Sequence, residues 1–446
     1  MSRPATLPRA AGAAARHWRL GLGVLVLVRL AVPLVVLAFH GHKLPALPRW
    51  DYVAQTGDAT GFYAAGREFI SAWGRLPHAL VAVLALAAVA TAVLLVRAWR
   101  GSPQQPVRRA WLLAAAALGV SLLASIGVAK MHPAGAAVFG WSLLWALPML
   151  PARAIGQLTP DVAFGLGLVL SLAANAVGIV ATAVAGARLT RSRSLGLLAG
   201  ACVAAWPLLT EPIAGPGAWE NGQWLVDTGL HLYTEPLSTA LVAVACALLL
   251  AERVGPLALA GAGVLLGYAT TVKLSNGLLA AAAIALVASR EGLRPGASKT
   301  AAHQGARATL PLLAGVLTFM PLVAVYWHLG YVQVFDNPQS WPTRAFSPEN
   351  VVPAWRDSLI FQPHTLVVIV PLAAIGCWAL RRRGWPLALV VVWLAINPVF
   401  YSFFRNLPQH PRFLYASLPA LWLLTAAGAA WLGHEAWRRL PGRVAA

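Results

Sequence analysis

Charged residues are scarce in this 446-residue sequence, and acidic residues are the scarcest of them. Asp, Glu, Lys and Arg make up 11% of the chain, and 59% of the residues are hydrophobic, with a mean hydropathy of +0.68. Soluble globular proteins contain about 25% charged residues. Only 14 residues are acidic, whereas 34 are Lys or Arg. This composition excludes an ordinary soluble protein and predicts a polytopic membrane protein.

Cysteine is almost absent as well. Cys202, Cys246 and Cys377 all fall in apolar stretches, which argues against a disulfide framework and against a cysteine-based metal site. The basic N-terminal segment leads into a long apolar run without a small-residue cleavage motif, so we expect a retained first span. No internal repeat and no separate soluble domain is visible, and we interpret residues 1–446 as a single transmembrane domain.

Apolar runs long enough to cross a hydrocarbon layer recur along the whole chain. Each must be helical, because lipid offers no partner for backbone amides. The sequence therefore predicts an all-α polytopic membrane protein with about twelve transmembrane helices. The predicted spans are residues 20–40, 78–97, 110–130, 161–187, 194–210, 233–252, 256–272, 275–290, 309–328, 364–380, 385–401 and 412–433.

The distribution of basic residues predicts the orientation of these spans. With both termini in the cytoplasm, 22 Lys and Arg lie on the cytoplasmic side and 11 on the other, with Arg29 inside the first span. This is the bias that the positive-inside rule requires. Of the 14 acidic residues, 11 lie on the extracytoplasmic side. The isoelectric point near 11.3 thus reflects topology and gives little support to nucleic-acid binding.

Three long loops are assigned to the extracytoplasmic side: residues 41–77, 131–160 and 329–363. Within the second, residues 136–150 are apolar enough for a short span, but a crossing would invert the charge bias of every later loop. We therefore expect an interfacial or re-entrant helix there, with its two tryptophans at the level of the lipid headgroups. The third loop has no recognisable motif and is expected to shape an acceptor pocket or to form an ordered lid.

The first loop contains three of the acidic residues, Asp51, Asp58 and Glu68, in the stretch WDYVAQTGDATGFYAAGREF. After Asp58 the apolar residues recur at helical spacing, which predicts an amphipathic interfacial helix. One interpretation makes Asp58 its N-cap, a contribution of about 1 kcal/mol. A second, compatible interpretation makes Asp58 a general base that deprotonates a hydroxyl group.

Several cations are predicted near the extracytoplasmic ends of spans, where they would stabilise a phosphate leaving group. The alternative for each is a side chain that snorkels to the membrane surface. These candidates are Lys130, Lys273, Arg405 and Arg412, with His132 and His410 as further donors.

Five segments carry a family resemblance in their order along the chain. They are the first-loop stretch quoted above, KMHPAGAAVFGWSLLW, LYTEPLSTALVAVACALLL, GVLLGYATTVKLSNGLLAA and QHPRFLYASLPALWLL. Together they resemble the GT-C superfamily of polyprenyl-phosphate-sugar-dependent glycosyltransferases, which includes protein O-mannosyltransferases, aminoarabinose transferases and phosphatidylinositol mannosyltransferases. The resemblance covers residues 20–290 and 397–430, and it implies inverting sugar transfer to a hydroxyl acceptor on a lipid, glycan or protein.

The resemblance also implies roles for individual residues. Asp58 would be the general base, with Asp51 as a second carboxylate or a turn residue. Arg412 is the first choice for the donor phosphate and Lys273 the second. Many members have two adjacent acids where this chain has Asp58 followed by Ala59, so no metal ion or other cofactor is predicted.

Three further residues have open alternatives. Glu235 would hold a sugar hydroxyl or orient a cation, or it is simply an acid in the first turn of a span. Trp50 and Tyr63 would stack on sugar rings, or they belong to an interfacial aromatic belt.

The main alternative function is a transporter or flippase of lipid-linked sugars. Only Arg29 lies deep within a span and the acids cluster on one face, which favours a one-sided active site over an alternating pathway. The expected partners are a polyprenyl-phosphate sugar donor, a hydroxyl acceptor and membrane lipids, with no nucleic acid. The abundance of Ala, Arg and Gly indicates a GC-rich bacterium, so the predicted location is the bacterial cytoplasmic membrane.

Overall fold

The computed structural model describes residues 17–32, 58–74, 106–129, 139–214, 232, 234–292, 309–326, 346–354, 365–404 and 411–438. Within these ranges the chain is almost entirely helical and forms no strand, apart from an isolated bridge between Phe346 and Phe404. This confirms the predicted all-α class for the part of the chain that is described.

The α-helices longer than one turn are, in chain order, α1 (17–32), α2 (Asp58–Gly74), α3 (Pro106–Ala129), α4 (Phe139–Ala154), α5 (Pro160–Thr190), α6 (Arg193–Ala214), α7 (Glu235–Leu249), α8 (Pro256–Val272), α9 (Asn276–Gly292), α10 (309–317), α11 (Met320–Tyr326), α12 (Val370–Ala379), α13 (Trp385–Ser402) and α14 (Leu418–Arg438). A single helical turn lies at residues 351–354. Short 3₁₀ segments occur at Pro348–Asn350, Arg381–Arg383 and Pro411–Ser417, and a π-type segment at Thr365–Ile369 precedes α12.

Among the described helices, four are long and apolar enough to cross a membrane: α3, α5, α13 and the segment Arg412–Arg438 that contains α14. Shorter apolar helices occupy most of the remaining predicted spans. The predicted span 78–97 lies outside the described residues. The structure therefore supports a helical membrane protein, and the full count of twelve spans stays a prediction.

Local sequence accounts for the ends of the longest described helix, α5, which has 31 residues. The side chain of Thr159 caps its start by accepting a hydrogen bond from the Val162 N–H at 3.2 Å. Pro160 occupies the first turn, where its missing N–H costs nothing. The helix ends at Arg191, which adopts the left-handed conformation with φ of 60° that commonly terminates helices.

One predicted span, residues 309–328, is broken in the structure. Helix α10 ends in a turn at residues 318–319, and α11 begins at Met320. Pro321 explains the break, because proline cannot donate to the carbonyl four residues earlier and its ring clashes with that carbonyl. The Thr318 hydroxyl donates to Gly315 O at 2.6 Å and so satisfies one backbone acceptor near the turn.

Helices α7, α8 and α9 alternate in direction and define two ends of the molecule. Glu235 begins α7 and bonds to Lys273, which directly follows α8. We call this the site end. At the opposite end, Arg188 at the end of α5 donates to Ala247 O near the end of α7, and Arg290 near the end of α9 lies over the ring of Trp385 at the start of α13. We call this the basic end.

Helices α2 and α4 pack against each other at the site end. Phe62, Ala65 and Phe69 of α2 are buried, as the predicted helical pattern requires. Gly140 at the start of α4 lies against the last residues of α8, and the Tyr268 hydroxyl of α8 donates to its carbonyl at 2.7 Å. Helix α4 thus lies beside the end of α8 that precedes Lys273, and α2 packs on α4.

The two tryptophans of α4 are buried inside the protein. Trp141 and Trp145 are both 0% exposed, and their predicted depth at the level of the lipid headgroups stays a prediction. Their indole N–H groups donate to Leu232 O at 2.9 Å and to Ala163 O at 2.7 Å. Because a backbone carbonyl inside the protein satisfies each indole N–H, both rings can be buried without an unsatisfied polar group.

Helices α12 and α14 make a very close contact through Gly376 and Gly428. A Cβ atom added to Gly376 would collide with Leu424 O, and one added to Gly428 would collide with Leu372 O. Small residues at such positions let helix backbones approach closely, which is a common basis of helix association in membranes.

Candidate functional site

The site end contains a buried ion pair. Lys273 Nζ lies 3.1 Å from Glu235 Oε1, and the two residues are 5% and 3% exposed. Moving two charges out of water is costly, and their mutual attraction repays that cost only when the geometry is good. A buried pair is therefore weak evidence for a purely stabilising role and a reason to look for a function.

Helix geometry brings these two residues together although they are 38 positions apart. Glu235 is the first residue of α7, where the positive end of the helix dipole favours a carboxylate. Lys273 is the C-cap of α8, where the negative end favours a cation. The hydroxyl of Thr234, the residue before α7, donates to the second carboxylate oxygen of Glu235 at 3.3 Å. The N-terminus of α7 thus stabilises the carboxylate, and the C-terminus of α8 stabilises the ammonium group.

A layer of uncharged polar side chains lies beside the pair. Asn276, at the start of α9, donates from Nδ2 to Ser238 Oγ and to Ala269 O, both at 2.9 Å. The Ser275 hydroxyl donates to Asn397 Oδ1 of α13 at 2.9 Å. These bonds fix the turn that carries Lys273 against α7, α8 and α13, so the ammonium group is held on a rigid support.

Two aromatic rings lie beside the Lys273 ammonium group. Its Nζ is 4.9 Å from the ring centroid of Phe413 and 5.3 Å from that of Tyr401. The two rings are stacked, with centroids 4.7 Å apart and an interplanar angle of 12°. Aromatic faces attract cations at such distances, so the two rings and Glu235 together fix the position of the Lys273 ammonium group.

Arg412 approaches the same aromatic group. Its Cζ lies 5.3 Å from the ring centroid of Phe413, the same ring that Lys273 Nζ approaches to 4.9 Å. Arg412 is partly buried in the 3₁₀ segment Pro411–Ser417. The three ionised side chains carry one positive charge in excess. This arrangement suits an anionic group such as a phosphate, for which guanidinium and ammonium groups are the usual ligands.

A third cation, Arg29 of α1, contacts the same 3₁₀ segment. Arg29 is 1% exposed, and its Nη2 donates to Asn175 Oδ1 at 2.9 Å and to the Tyr415 hydroxyl at 3.0 Å. Tyr415 lies three residues after Arg412 and itself donates to Asn175 Oδ1 at 3.3 Å. The intramembrane arginine noted in the sequence therefore anchors the segment that carries Arg412.

The described part of the third predicted loop packs against the end of α13. The N–H of Ser347 donates to Phe403 O at 3.0 Å, and Asn350 Nδ2 donates to the same carbonyl at 2.9 Å. The ring of Phe346 packs against Phe404 with centroids 5.1 Å apart. Residues 346–354 are thus attached to the end of α13, next to Tyr401 and Phe413.

The structure brings together three of the predicted site residues: Glu235, Lys273 and Arg412. Glu235 lies in the first turn of α7 and accepts a hydrogen bond from Lys273, and its predicted roles toward a sugar hydroxyl and in orienting a cation stay predictions. Asp58 is the first residue of α2, and its roles as an N-cap and as a general base stay predictions. Tyr63 is buried in α2, where its ring contacts Trp145 and the Arg67 guanidinium.

Other predicted site residues lie outside the described ranges, and their roles stay predictions: Trp50, Asp51, Lys130, His132, Arg405 and His410. In the described part of the chain no group of three or more His, Cys, Asp and Glu residues is arranged to hold a metal ion. The sequence did not predict that four further residues belong to the site, because the position of a polar or aromatic residue in an apolar segment does not show which helix it faces. These residues are Asn276, Asn397, Tyr401 and Phe413.

Comparison with protein-family models and with curated proteins finds no match to this chain.

Proposed function

We propose that the protein is a membrane glycosyltransferase that transfers a sugar from a polyprenyl-phosphate-linked donor to a hydroxyl acceptor on a lipid, glycan or protein. The observation that carries the proposal is the buried pair of Glu235 and Lys273, with Arg412 and Lys273 both beside the Phe413 ring. The site lies where the start of α7 meets the end of α8, and both helices are apolar. The expected location is the extracytoplasmic face of a bacterial cytoplasmic membrane, with both termini in the cytoplasm.

Lys273 and Arg412 bind the donor phosphate in this proposal. A phosphodiester brings a negative charge to a site with one positive charge in excess, so binding neutralises it. Glu235 holds the Lys273 ammonium group in place at 3.1 Å, and the rings of Tyr401 and Phe413 limit its movement. The cations are thus positioned before the donor arrives, which lowers the cost of ordering them during the reaction.

Asp58 acts as the general base. The carboxylate takes the proton of the acceptor hydroxyl as its oxygen attacks the anomeric carbon of the sugar. The bond between that carbon and the phosphate oxygen breaks, and the phosphate leaves with the electron pair and with its charge stabilised by Lys273 and Arg412. Attack from the face opposite to the leaving group inverts the anomeric configuration.

A transfer assay tests the proposal. Purified protein in nanodiscs receives polyprenyl-phosphate mannose, glucose or arabinose in turn, with a membrane lipid extract as the acceptor. We expect the wild type to transfer at least one sugar. Asp58→Asn keeps the size of the side chain and removes its basicity, so it should lower kcat by roughly 10²- to 10⁴-fold and leave the donor KM unchanged. Glu68→Gln, an acid-to-amide change on the same helix, is the matched control and should retain activity.

Arg412→Gln separates donor binding from the chemical step. Loss of a charge-assisted contact to phosphate should raise the donor KM by about tenfold or more. Folded Asp58→Asn and Arg412→Gln variants with wild-type kinetics would contradict the site assignment.

The transporter or flippase hypothesis makes the opposite set of predictions. It is favoured if the folded wild type neither transfers the sugar nor hydrolyses the donor, but moves the lipid-linked sugar across vesicle membranes. Vesicles containing a fluorescent lipid-linked sugar and an external quencher measure that movement directly.

A further inference from the structure

One face of helix α13 carries two aromatic residues and an asparagine. Trp393, Asn397 and Tyr401 recur at every fourth position of this helix and are buried, with exposed fractions of 0%, 3% and 7%. Side chains four residues apart lie above one another on the same face of an α-helix. The glycosyltransferase proposal uses the Tyr401 ring and assigns no role to the other two residues.

Asn397 connects this face with the turn that carries Lys273. Its Oδ1 accepts a hydrogen bond from the Ser275 hydroxyl at 2.9 Å. Ser275 lies two residues after Lys273 and is 1% exposed. The turn itself is closed by the N–H of Asn276, which donates to Lys273 O at 3.0 Å. The side chain of Asn397 therefore holds the backbone from which the Lys273 ammonium group extends.

The same asparagine contacts the 3₁₀ segment that carries Arg412. Its Nδ2 donates to Ser417 Oγ at 3.5 Å, which is a long hydrogen bond. Trp393 reinforces this contact, because its indole N–H donates to Ala416 O at 2.7 Å and its carbonyl accepts a bond from the Ser417 hydroxyl at 3.2 Å. Two neighbouring residues at the end of the segment are thus attached to α13.

The third residue of this face contacts the start of the same segment. The Tyr401 ring stacks on Phe413, which directly follows Arg412, and Lys273 Nζ lies beside both rings. Lys273 and Arg412 are far apart in the sequence, so noncovalent contacts determine their relative positions. Helix α13 contacts the supports of both cations, and the side chain of Asn397 bonds to both supports.

We propose that Asn397 is a positioning residue that sets the placement of Arg412 relative to Lys273. This role rests on the proposed function, because it requires one donor phosphate that both cations bind. A phosphate group is small, and a misplacement of about 1 Å at a reacting site can lower the rate by about 100-fold. A single hydrogen bond between membrane helices contributes little to stability. The effect of Asn397 thus falls on donor binding more than on folding.

Two substitutions remove the connection in different ways. Asn397→Leu keeps a side chain of similar volume and removes both hydrogen bonds. Ser275→Ala removes only the bond to the turn that carries Lys273. Because Ser275→Ala deletes a single hydroxyl group, we expect it to fold even where Asn397→Leu does not.

Thr425→Val is the matched control. Thr425 is a buried residue of α14, and its hydroxyl donates to Leu421 O at 2.9 Å and to Ile369 O at 3.5 Å. The control therefore deletes a buried hydroxyl group that joins two helical segments, as Ser275→Ala does, but at residues that support neither cation. It separates a specific effect on donor binding from a general loss of packing.

Native mass spectrometry of the full-length protein, titrated with undecaprenyl phosphate, measures binding by the folded population independently of sugar transfer. We expect Asn397→Leu to weaken binding by about tenfold and Ser275→Ala by about threefold or more, with Thr425→Val unchanged. Arg412→Gln should weaken binding by about tenfold in the wild-type background. In the Asn397→Leu or Ser275→Ala background it should weaken binding by less than about threefold, since a displaced guanidinium no longer contacts the phosphate.

Three results would contradict this role. Wild-type affinity in Asn397→Leu and Ser275→Ala, or additive losses when either is combined with Arg412→Gln, would overturn the positioning role and leave the proposed function intact. An equal loss in Thr425→Val would also overturn it, since any buried hydroxyl group would then have the same effect. A folded wild type that binds no undecaprenyl phosphate would overturn the positioning role and the proposed function together.

Discussion

A buried carboxylate such as that of Glu235 keeps its charge only when a cation lies beside it, and Lys273 fills that role at 3.1 Å. Removal of one partner leaves the other charge buried and uncompensated, which typically costs about 3–5 kcal/mol. Removal of both charges together is often close to neutral. The two residues should therefore behave as one energetic unit.

A double-mutant cycle tests this coupling. Glu235→Gln and Lys273→Met should each destabilise the protein by about 3–5 kcal/mol, and the double variant should lose much less than the sum. Thermal unfolding in detergent, followed by circular dichroism, measures the change in Tm. The exposed pair of Arg191 and Glu252 offers the control, because Glu252→Gln should cost no more than about 1 kcal/mol. A Glu235→Gln variant as stable as Glu252→Gln would contradict the expected coupling.

The candidate site was only partly predictable at the scale of single residues. Glu235, Lys273 and Arg412 were each identified from their motifs and from their positions at the ends of predicted spans. Their mutual contact was not predictable, because helical periodicity gives the face of one helix and not the neighbour that it meets. A polar contact of Arg29 could be predicted, since a charge inside a span marks a functional or structural contact.

At the scale of secondary structure, the contact of α12 with α14 depends on the absence of two side chains. Gly376 and Gly428 each lie against a backbone carbonyl of the opposite helix. Gly433, on the exposed part of the same helix α14, has no atom within 4 Å of an added Cβ. One helix thus contains a glycine that packing requires and a glycine that packing does not require.

Alanine substitutions should separate these two glycines. Gly428→Ala should destabilise the protein by about 1–3 kcal/mol, because the helices must move apart to admit the methyl group. Gly433→Ala should be neutral or stabilising by up to about 1 kcal/mol, since alanine favours helix more than glycine does. Thermal unfolding of the two variants in the same detergent makes the comparison. A greater loss for Gly433→Ala would show that the close contact contributes little.

Most helices could be located from the sequence, whereas irregularities within them were missed. The predicted span 256–272 has the bounds that the structure gives to α8, because Gly255 and Pro256 mark its start. The predicted span 309–328 is interrupted at residues 318–319. Pro321 was visible in the sequence, but proline within a membrane helix is often accommodated without a break. Packing of the surrounding helices decides between these outcomes.

At the scale of the whole molecule, the described charges separate between two ends. The site end contains Glu235, Lys273 and Arg412. The basic end contains Arg188, Arg290 and the triplet Arg381–Arg383. Arg383 donates there to carbonyl groups at the end of α5. The positive-inside rule predicts that the basic end faces the cytoplasm. This orientation is testable without any assumption about catalysis.

Labelling of single introduced cysteines tests the orientation. Glu349→Cys and Arg382→Cys place a thiol at an exposed position on opposite sides of the predicted topology. In spheroplasts, a membrane-impermeant maleimide should label Glu349→Cys at once and Arg382→Cys only after the membrane is permeabilised. The unsubstituted protein, whose Cys202, Cys246 and Cys377 lie within apolar helices, gives the background. The reverse labelling pattern would place the candidate site in the cytoplasm.

The length of α7 and the separation of its ion pair bear on how the protein is made. The helix has 15 residues and is about 22 Å long, which is shorter than a hydrocarbon layer of about 30 Å. Glu235 is synthesised 38 residues before Lys273, so α7 leaves the ribosome with an acid and no partner. Transfer of a lone charge from water into lipid is unfavourable, and α8 delivers the compensating cation only when its own synthesis is complete. We therefore expect α7 and α8 to insert into the membrane together, as a helical hairpin.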